Sequence, residues 1–168
     1  MTVPERQARF RELLERSHAR WAGIARAYAE APDRDDLMQE IALQVWQSLD
    51  RFTGRSSLDT WAYRVALNTA LAWRRKAATR SEKLPRFTAN TAELPGDRGS
   101  EGDVQRVLDR FLTSLSDGDR AVLLLHLDGL SHADAAEVLG ISEGAYRTRF
   151  HRVRCRFEET HCQEESVP

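Results

Sequence analysis

Apolar positions along this chain recur at three- and four-residue intervals, and strand-like alternation is absent from every segment. From Asp36 to Phe52, Leu37, Ile41, Val45, Leu49 and Phe52 repeat in this way, which predicts an amphipathic helix with one face against its neighbours. Thr53-Gly54-Arg55-Ser56-Ser57 breaks the pattern, and a second helix is predicted from about Leu58 to Arg75, with Leu58, Trp61, Val65 and Ala72 on a buried stripe. Upstream, Arg9 to Glu30 reads as one or two further helices. From about Ala77 to Gly102 the period fails, and Pro85, Pro95, Gly96, Gly99 and Gly102 punctuate a polar stretch that reads as a linker. Helical spacing returns with Val104, Val107, Leu108, Phe111, Leu112 and Leu115, continues from Asp117 to Leu127, and ends in two shorter segments. The tail from Glu158 to Pro168 carries Glu158, Glu159, Glu164 and Glu165 and reads as a solvated, fraying helix end. The expectation is an all-α protein of two small helical domains, over residues 9–76 and 104–158, joined by a flexible linker over 77–103.

At 168 residues and 41% hydrophobic composition, folded cores are affordable and wholesale disorder is not expected. Arg6, Arg9 and Arg11 interleave with Glu5 and Glu12 where a signal peptide would be apolar, and no apolar run approaches the length of a membrane span, so a cytoplasmic protein is expected. Two cysteines, Cys155 and Cys162, cannot make a disulfide framework.

The net charge of -1 conceals strong segregation. Between Arg64 and Arg86, the cations Arg64, Arg74, Arg75, Lys76, Arg80, Lys83 and Arg86 face only Glu82; between Glu143 and Phe157, Arg147, Arg149, Arg152, Arg154 and Arg156 face only Glu143. Glu30 to Asp50 is acidic, with Glu30, Asp33, Asp35, Asp36, Glu40 and Asp50 against Arg34. Two basic segments and an acidic one imply different partners.

The second basic segment lies inside Leu130 to Phe157, LSHADAAEVLGISEGAYRTRFHRVRCRF, which has the grammar of a helix-turn-helix. Ser131 can cap one helix with Asp134 three residues on, Gly140 supplies the tight turn, and Ser142 can cap the next helix. On that helix Ala145, Tyr146, Phe150, Val153 and Phe157 can face inward, leaving Arg147, Thr148, His151, Arg152 and Arg154 to a DNA groove. In the first domain Trp61, Arg64, Asn68, Trp73, Arg74 and Arg75 lie on or beside one helix, combining π surfaces, an amide and cations. Those groups can hold unstacked bases and track phosphates. The bland alternative makes the tryptophans core residues and the arginines a solvated face. His151, Cys155, His161 and Cys162 raise the question of a metal site, for which incidental residues are the preferred reading, and no cofactor is expected. No nucleophile and base arrangement or phosphate-cradling glycine loop argues for an enzyme.

D-L-M-Q-E at Asp36 to Glu40, W-Q-S-L-D-R-F at Trp46 to Phe52 and S-S-L-D-T-W-A-Y-R-V-A-L-N-T-A at Ser56 to Ala70 resemble region 2 of sigma factors, and the C-terminal helix-turn-helix resembles region 4. The order of the two, with a short linker between, resembles group IV (extracytoplasmic-function) sigma factors. The resemblance implies that Asp36, Gln39 and Glu40 help bind the clamp helices of the largest catalytic subunit of core RNA polymerase. It implies that Trp61, Arg64, Asn68 and the nearby Arg74 and Arg75 meet the opened minus-ten element of promoter DNA, and that Arg147, Thr148, His151 and Arg152 read the minus-thirty-five element. It also implies control by an anti-sigma factor, with contact to a membrane only if that partner is membrane-bound. The alternative is a helix-turn-helix regulator that binds duplex DNA without polymerase. The chain departs from the family pattern at Ala145-Tyr146, where Thr-Val is frequent, and at Ala135, where a larger aliphatic is frequent; Tyr146 either fills the volume that Ala135 leaves or is exposed to DNA.

Overall fold

A computed structural model of the chain describes residues 2–83 and 100–164, with side-chain surroundings for 2–79 and 106–160. Among the described residues there are seven α-helices, two single 3-10 turns and no strand. The N-terminal unit comprises α1 (Val3–Tyr28), α2 (Arg34–Ser48) and α3 (Leu58–Lys83); the C-terminal unit comprises α4 (Ser100–Ser114), α5 (Asp117–Leu127), α6 (His132–Leu139) and α7 (Glu143–Glu164).

Upstream of Glu30 the chain forms one helix, capped by Thr2, with Pro4 in its first turn and the Glu5 carboxylate accepting from the Thr2 backbone N–H at 2.8 Å. Helix α2 follows its predicted period, burying Leu37, Ile41 and Val45, before a 3-10 turn at Leu49–Arg51 tucks in Leu49. Ser57 caps α3, its hydroxyl accepting from the Thr60 N–H at 3.0 Å. Helix α3 then runs on to Lys83, past the end expected at Arg75. Nothing in Ala77-Ala78-Thr79-Arg80-Ser81-Glu82-Lys83 breaks a helix, and these residues need no apolar stripe because their side chains are exposed as far as Thr79. Residues 100–103, expected as the end of the linker, open α4; the rest of the expected linker, 84–99, lies outside the described residues.

In the C-terminal unit the caps fall where the sequence placed them. The Ser131 hydroxyl accepts from the Asp134 N–H at 3.1 Å and that of Ser142 from the Ala145 N–H at 3.2 Å. Gly140 takes a left-handed conformation, φ +67°, that closes α6 with the Ile141 N–H donating to the Ala136 carbonyl at 3.1 Å. Tyr146, Val153 and, partly, Phe150 and Phe157 face inward as expected. Ala145 does not: it is exposed, because the inward positions of α7 follow the 146, 150, 153, 157 period and Ala145 sits a third of a turn away. Tyr146 is fully buried in the same cluster as Ala135, and its phenol donates to the Val122 carbonyl of α5 at 3.2 Å. The structure thus places Tyr146 in the core and not on the DNA-facing side.

One hydrophobic cluster spans both units. Trp21, Ile24, Tyr28, Leu37, Ile41, Tyr63, Ala66 and Leu67 from α1–α3 join Leu112, Val122, Leu125, Ala135, Val138 and Tyr146 from α4–α7, so the two units pack together directly. Helix α3 meets α6, and α1 meets α4 and α5.

Candidate nucleic-acid interface

The sequence-derived residues fall on three surfaces. On α2, Asp36 and Gln39 are exposed and Glu40 is half-buried, accepting from the Gln44 amide at 2.9 Å. They project opposite the buried Leu37, Ile41 and Val45. Leu43, three residues beyond Glu40 on that outer side, is 46% exposed and adds an apolar element that the sequence reading missed. Its position outside the Leu37-Ile41-Val45 stripe was the available signal.

On α3, Trp61, Arg64, Asn68 and Arg75 follow a 3-4-7 spacing and share one side of the helix. Asn68 and Arg75 are exposed. Trp61 is half-buried, its ring 5.5 Å from that of Phe52, so one part of the indole is fixed by packing. Trp61 and Trp73 both pack against the core cluster, the bland reading weighed for each of them. Arg64 and Arg74 are turned toward the C-terminal unit. The Arg64 guanidinium donates through Nε to the Val138 carbonyl at 3.3 Å and through Nη2 to the Glu137 carbonyl, both at the C-terminal end of α6. Those carbonyls belong to the last turn of the helix, where orphan acceptors and the negative end of the dipole favour a cation. Arg74 pairs with Asp117 at 3.1 Å.

On α7, Arg147, Thr148, His151 and Arg152 are all exposed and lie on one side. Arg147 pairs with Glu143 one turn earlier, the Thr148 hydroxyl donates to the Gly144 carbonyl at 3.0 Å, and His151 Nδ1 lies 3.1 Å from Cys155 Sγ. The side chains of His161 and Cys162 lie outside the described residues. Two other arginines of the basic run hold the helix in place: Arg149 pairs with Asp119 on α5 at 3.7 Å, and Arg156 donates to the Ser114 carbonyl at 3.3 Å. The run therefore divides into anchoring and outward-facing cations.

Four residues that sequence reasoning passed over, Arg120, Tyr63, Asp128 and Tyr28, organise the junction. Arg120 is 2% exposed; Nε donates to the Leu112 carbonyl at 2.8 Å, Nη2 to those of Thr113 and Leu115, and Nη1 to that of Ala27 at 3.0 Å. One guanidinium thus satisfies acceptors at the C-terminal ends of α4 and α1 together, above the ring of Tyr28 at 5.3 Å. Its place four residues before the buried Leu124 was a sign that it lies on the inner side of α5. The Tyr63 phenol donates to the Asp128 carboxylate at 2.7 Å, and that of Tyr28 to the Asp117 carbonyl at 2.8 Å. Burial, followed by the Asp128 charge, raises the Tyr63 pKa far above its ordinary value, so the phenol stays a donor. Burial also raises the Asp128 pKa, outweighing the Tyr63 hydrogen bond and the Arg20 charge that lower it.

Comparison with known proteins agrees with this layout. Residues 13–80 match the model for Sigma-70 region 2 and residues 105–156 the model for Sigma-70, region 4. The ECF RNA polymerase sigma-E factor of Haemophilus influenzae is 27% identical over 157 residues, covering 86% of this chain and 83% of that protein. The ECF RNA polymerase sigma-E factor of Escherichia coli (strain K12) is 28% identical over 160 residues, covering 88% and 84%. Among solved structures, the sigma factor RpoE from Bartonella quintana, in complex with the anti-sigma factor NepR, aligns with a TM-score of 0.72 at 26% identity, covering 89% of this chain and 94% of that one. CnrH in complex with the cytosolic domain of CnrY aligns with a TM-score of 0.67 at 25% identity, covering 96% and 91%. With both regions matched in order and relatives of that type aligned over most of their length, the chain belongs to the sigma-70 family, in its extracytoplasmic-function group.

Proposed function

We propose that this sigma factor binds core RNA polymerase through the outer side of α2 and selects promoters through α3 and α7. The observation that carries the reading is the separation of an acidic surface on α2 from a basic surface on α7, on a chain with both sigma regions in order. Asp36, Gln39 and Glu40, with Leu43 beside them, are assigned to the polymerase clamp helices. Arg147, Thr148, His151 and Arg152 are assigned to the minus-thirty-five duplex, where side chains on one exposed side of a helix can reach base edges and phosphates. Trp61, Arg64, Asn68, Arg74 and Arg75 are assigned to the opened minus-ten strand. Stacking there, worth ~1–3 kcal/mol per base, offsets the few kcal/mol that unstacking costs. An anti-sigma factor is the expected inhibitor, since the two solved relatives are described in complexes with such a partner or with the cytosolic domain of a second protein.

The test is competition for purified core polymerase. Replacing Asp36, Gln39 and Glu40 together by alanine is expected to weaken core binding at least about tenfold, the equivalent of ~1.4 kcal/mol, while leaving the melting transition and duplex binding by α7 in place. Undiminished core binding would refute the α2 assignment. Duplex binding without any affinity of the parent chain for core would favour the helix-turn-helix regulator instead.

A further inference from the structure

Helix α7 carries a pair of metal-ligating side chains that the promoter assignments use only in part. His151 and Cys155 stand four residues apart, so one lies a turn beyond the other on the same side of the helix. His151 is exposed, Cys155 is half-buried, and His151 Nδ1 lies 3.1 Å from Cys155 Sγ. On spacing alone the two read as incidental, because any residues four apart on a helix share a side. The structure adds that their donor atoms converge. A tetrahedral metal with bonds of about 2.3 Å to sulfur and about 2.0 Å to nitrogen holds those atoms ~3.5 Å apart, so a small adjustment of the side chains turns the pair into a chelate. What joins them now is a hydrogen bond through sulfur, a weak donor and a weak acceptor, and little is given up when a metal replaces the shared proton.

A thiolate and an imidazole together suit zinc and metals like it, whereas magnesium and calcium take oxygen ligands. On binding, sulfur forms a bond to the metal and the thiol proton leaves to solvent. The two cations that flank Cys155 are turned elsewhere: Arg154 pairs with Glu158 at 3.4 Å, and Arg156 donates to the Ser114 carbonyl at 3.3 Å. Among the described residues no group of three or more His, Cys, Asp and Glu is placed to share a metal. Water therefore completes the coordination, and two protein donors with an open outer side make an exchangeable site, unlike the closed four-ligand sites that hold structural zinc.

We propose that His151 and Cys155 form an exchangeable site for a zinc-type divalent cation, and that its occupation competes with reading of the minus-thirty-five duplex. The site stands on the geometry of the pair; the competition rests on the assignment of His151 to the duplex. In that assignment His151 acts with Arg147, Thr148 and Arg152, all on the outward side of α7. An imidazole in a weak hydrogen bond can swing to a base edge, whereas one held by a metal cannot do so without breaking a coordination bond. The metal and its waters also take up space on the side of the helix that faces the groove.

The test uses the full chain, reduced and then freed of reductant. Cobalt(II) is the probe of the site, because thiolate ligation gives it a charge-transfer band in the near ultraviolet. The band is expected in the parent and in Cys162→Ser and is expected to be lost in Cys155→Ser, while His151→Ala should bind cobalt at least about tenfold more weakly. No band in the parent, a band that survives Cys155→Ser, or one indifferent to His151→Ala would overturn the site. Zinc then tests the competition, read by anisotropy of a labelled duplex that the metal-free chain enriches from a random pool. Saturating zinc is expected to weaken binding by the parent about tenfold, and the duplex to weaken zinc binding by the same factor. Cys155→Ser should bind the duplex within about twofold of the parent without zinc and change by less than about twofold when zinc is added. A parent indifferent to zinc, or a Cys155→Ser variant equally sensitive to it, would overturn the competition while leaving the site in place. A duplex bound as tightly by metal-free His151→Ala as by the parent, or a pool from which nothing is enriched, would instead overturn the assignment on which the competition rests.

Discussion

Replacing Tyr146 by valine, the residue frequent there in the family, should destabilise this chain. Tyr146 has no exposed surface, its ring lies 5.5 Å from His132 and stacks parallel to Phe150 at 6.4 Å, and its phenol reaches the Val122 carbonyl at 3.2 Å. Burial raises its pKa, so it remains a donor. Phenylalanine keeps the ring and loses one neutral hydrogen bond, at a cost of ~1 kcal/mol. Valine also removes most of the ring. A full truncation of a buried aromatic costs ~3–5 kcal/mol, and valine refills part of the space, so ~2–3 kcal/mol is expected. Ala135, fully buried in the same cluster, is too small to close the gap. Urea unfolding at neutral pH measures both variants. Packing complementarity between Tyr146 and Ala135 is checked by adding Ala135→Leu to Tyr146→Val, which should recover part of the loss. A valine variant as stable as the parent would refute the reasoning and return Tyr146 to the DNA-facing reading, under which promoter preference and not stability should change.

Two further substitutions probe the junction. Arg120→Lys keeps the charge but has no planar fork to serve the Leu112, Thr113, Leu115 and Ala27 carbonyls together, and should cost ~2–3 kcal/mol in urea unfolding; a loss under ~0.5 kcal/mol would contradict the role given to it. Asp128→Asn should show a pH-dependent difference from the parent. Because the folded-state pKa of Asp128 is raised above the ordinary 3.8, its contribution to stability is fully present below that value and lost as pH rises through the folded-state pKa. Asparagine suffers no such loss, so the variant should gain on the parent as pH rises from about 4 and level off above the folded-state pKa; a gap independent of pH would argue against a half-buried, ionising Asp128.

The helix-turn-helix was legible because each boundary has a local chemical marker: Ser131, Gly140 and Ser142 act within a turn of themselves. The buried stripe of α2 was equally legible from its period. The far end of α3 was not, since a solvated helix with no apolar side carries no period to read. Ala145 was assigned inward on its apolar character, and geometry put it outside. The joining of the units escaped sequence reading for a different reason. Tyr63 with Asp128, Arg120 with Ala27 and Arg64 with Val138 are pairs far apart in the chain, and no local pattern announces them. The candidate site shows the same division: helix spacing grouped Arg147, Thr148, His151 and Arg152, but could not reveal that Arg64 and Arg74 face another part of the same molecule.

The most direct measurement is transcription in vitro with purified core polymerase and a library of genomic promoter fragments, comparing the parent chain with Gln39→Ala/Glu40→Ala. The account predicts discrete start sites that share a pair of upstream elements and weaken in the variant. A folded parent chain, free of inhibitor, that neither joins core nor starts transcription anywhere in the library would contradict it.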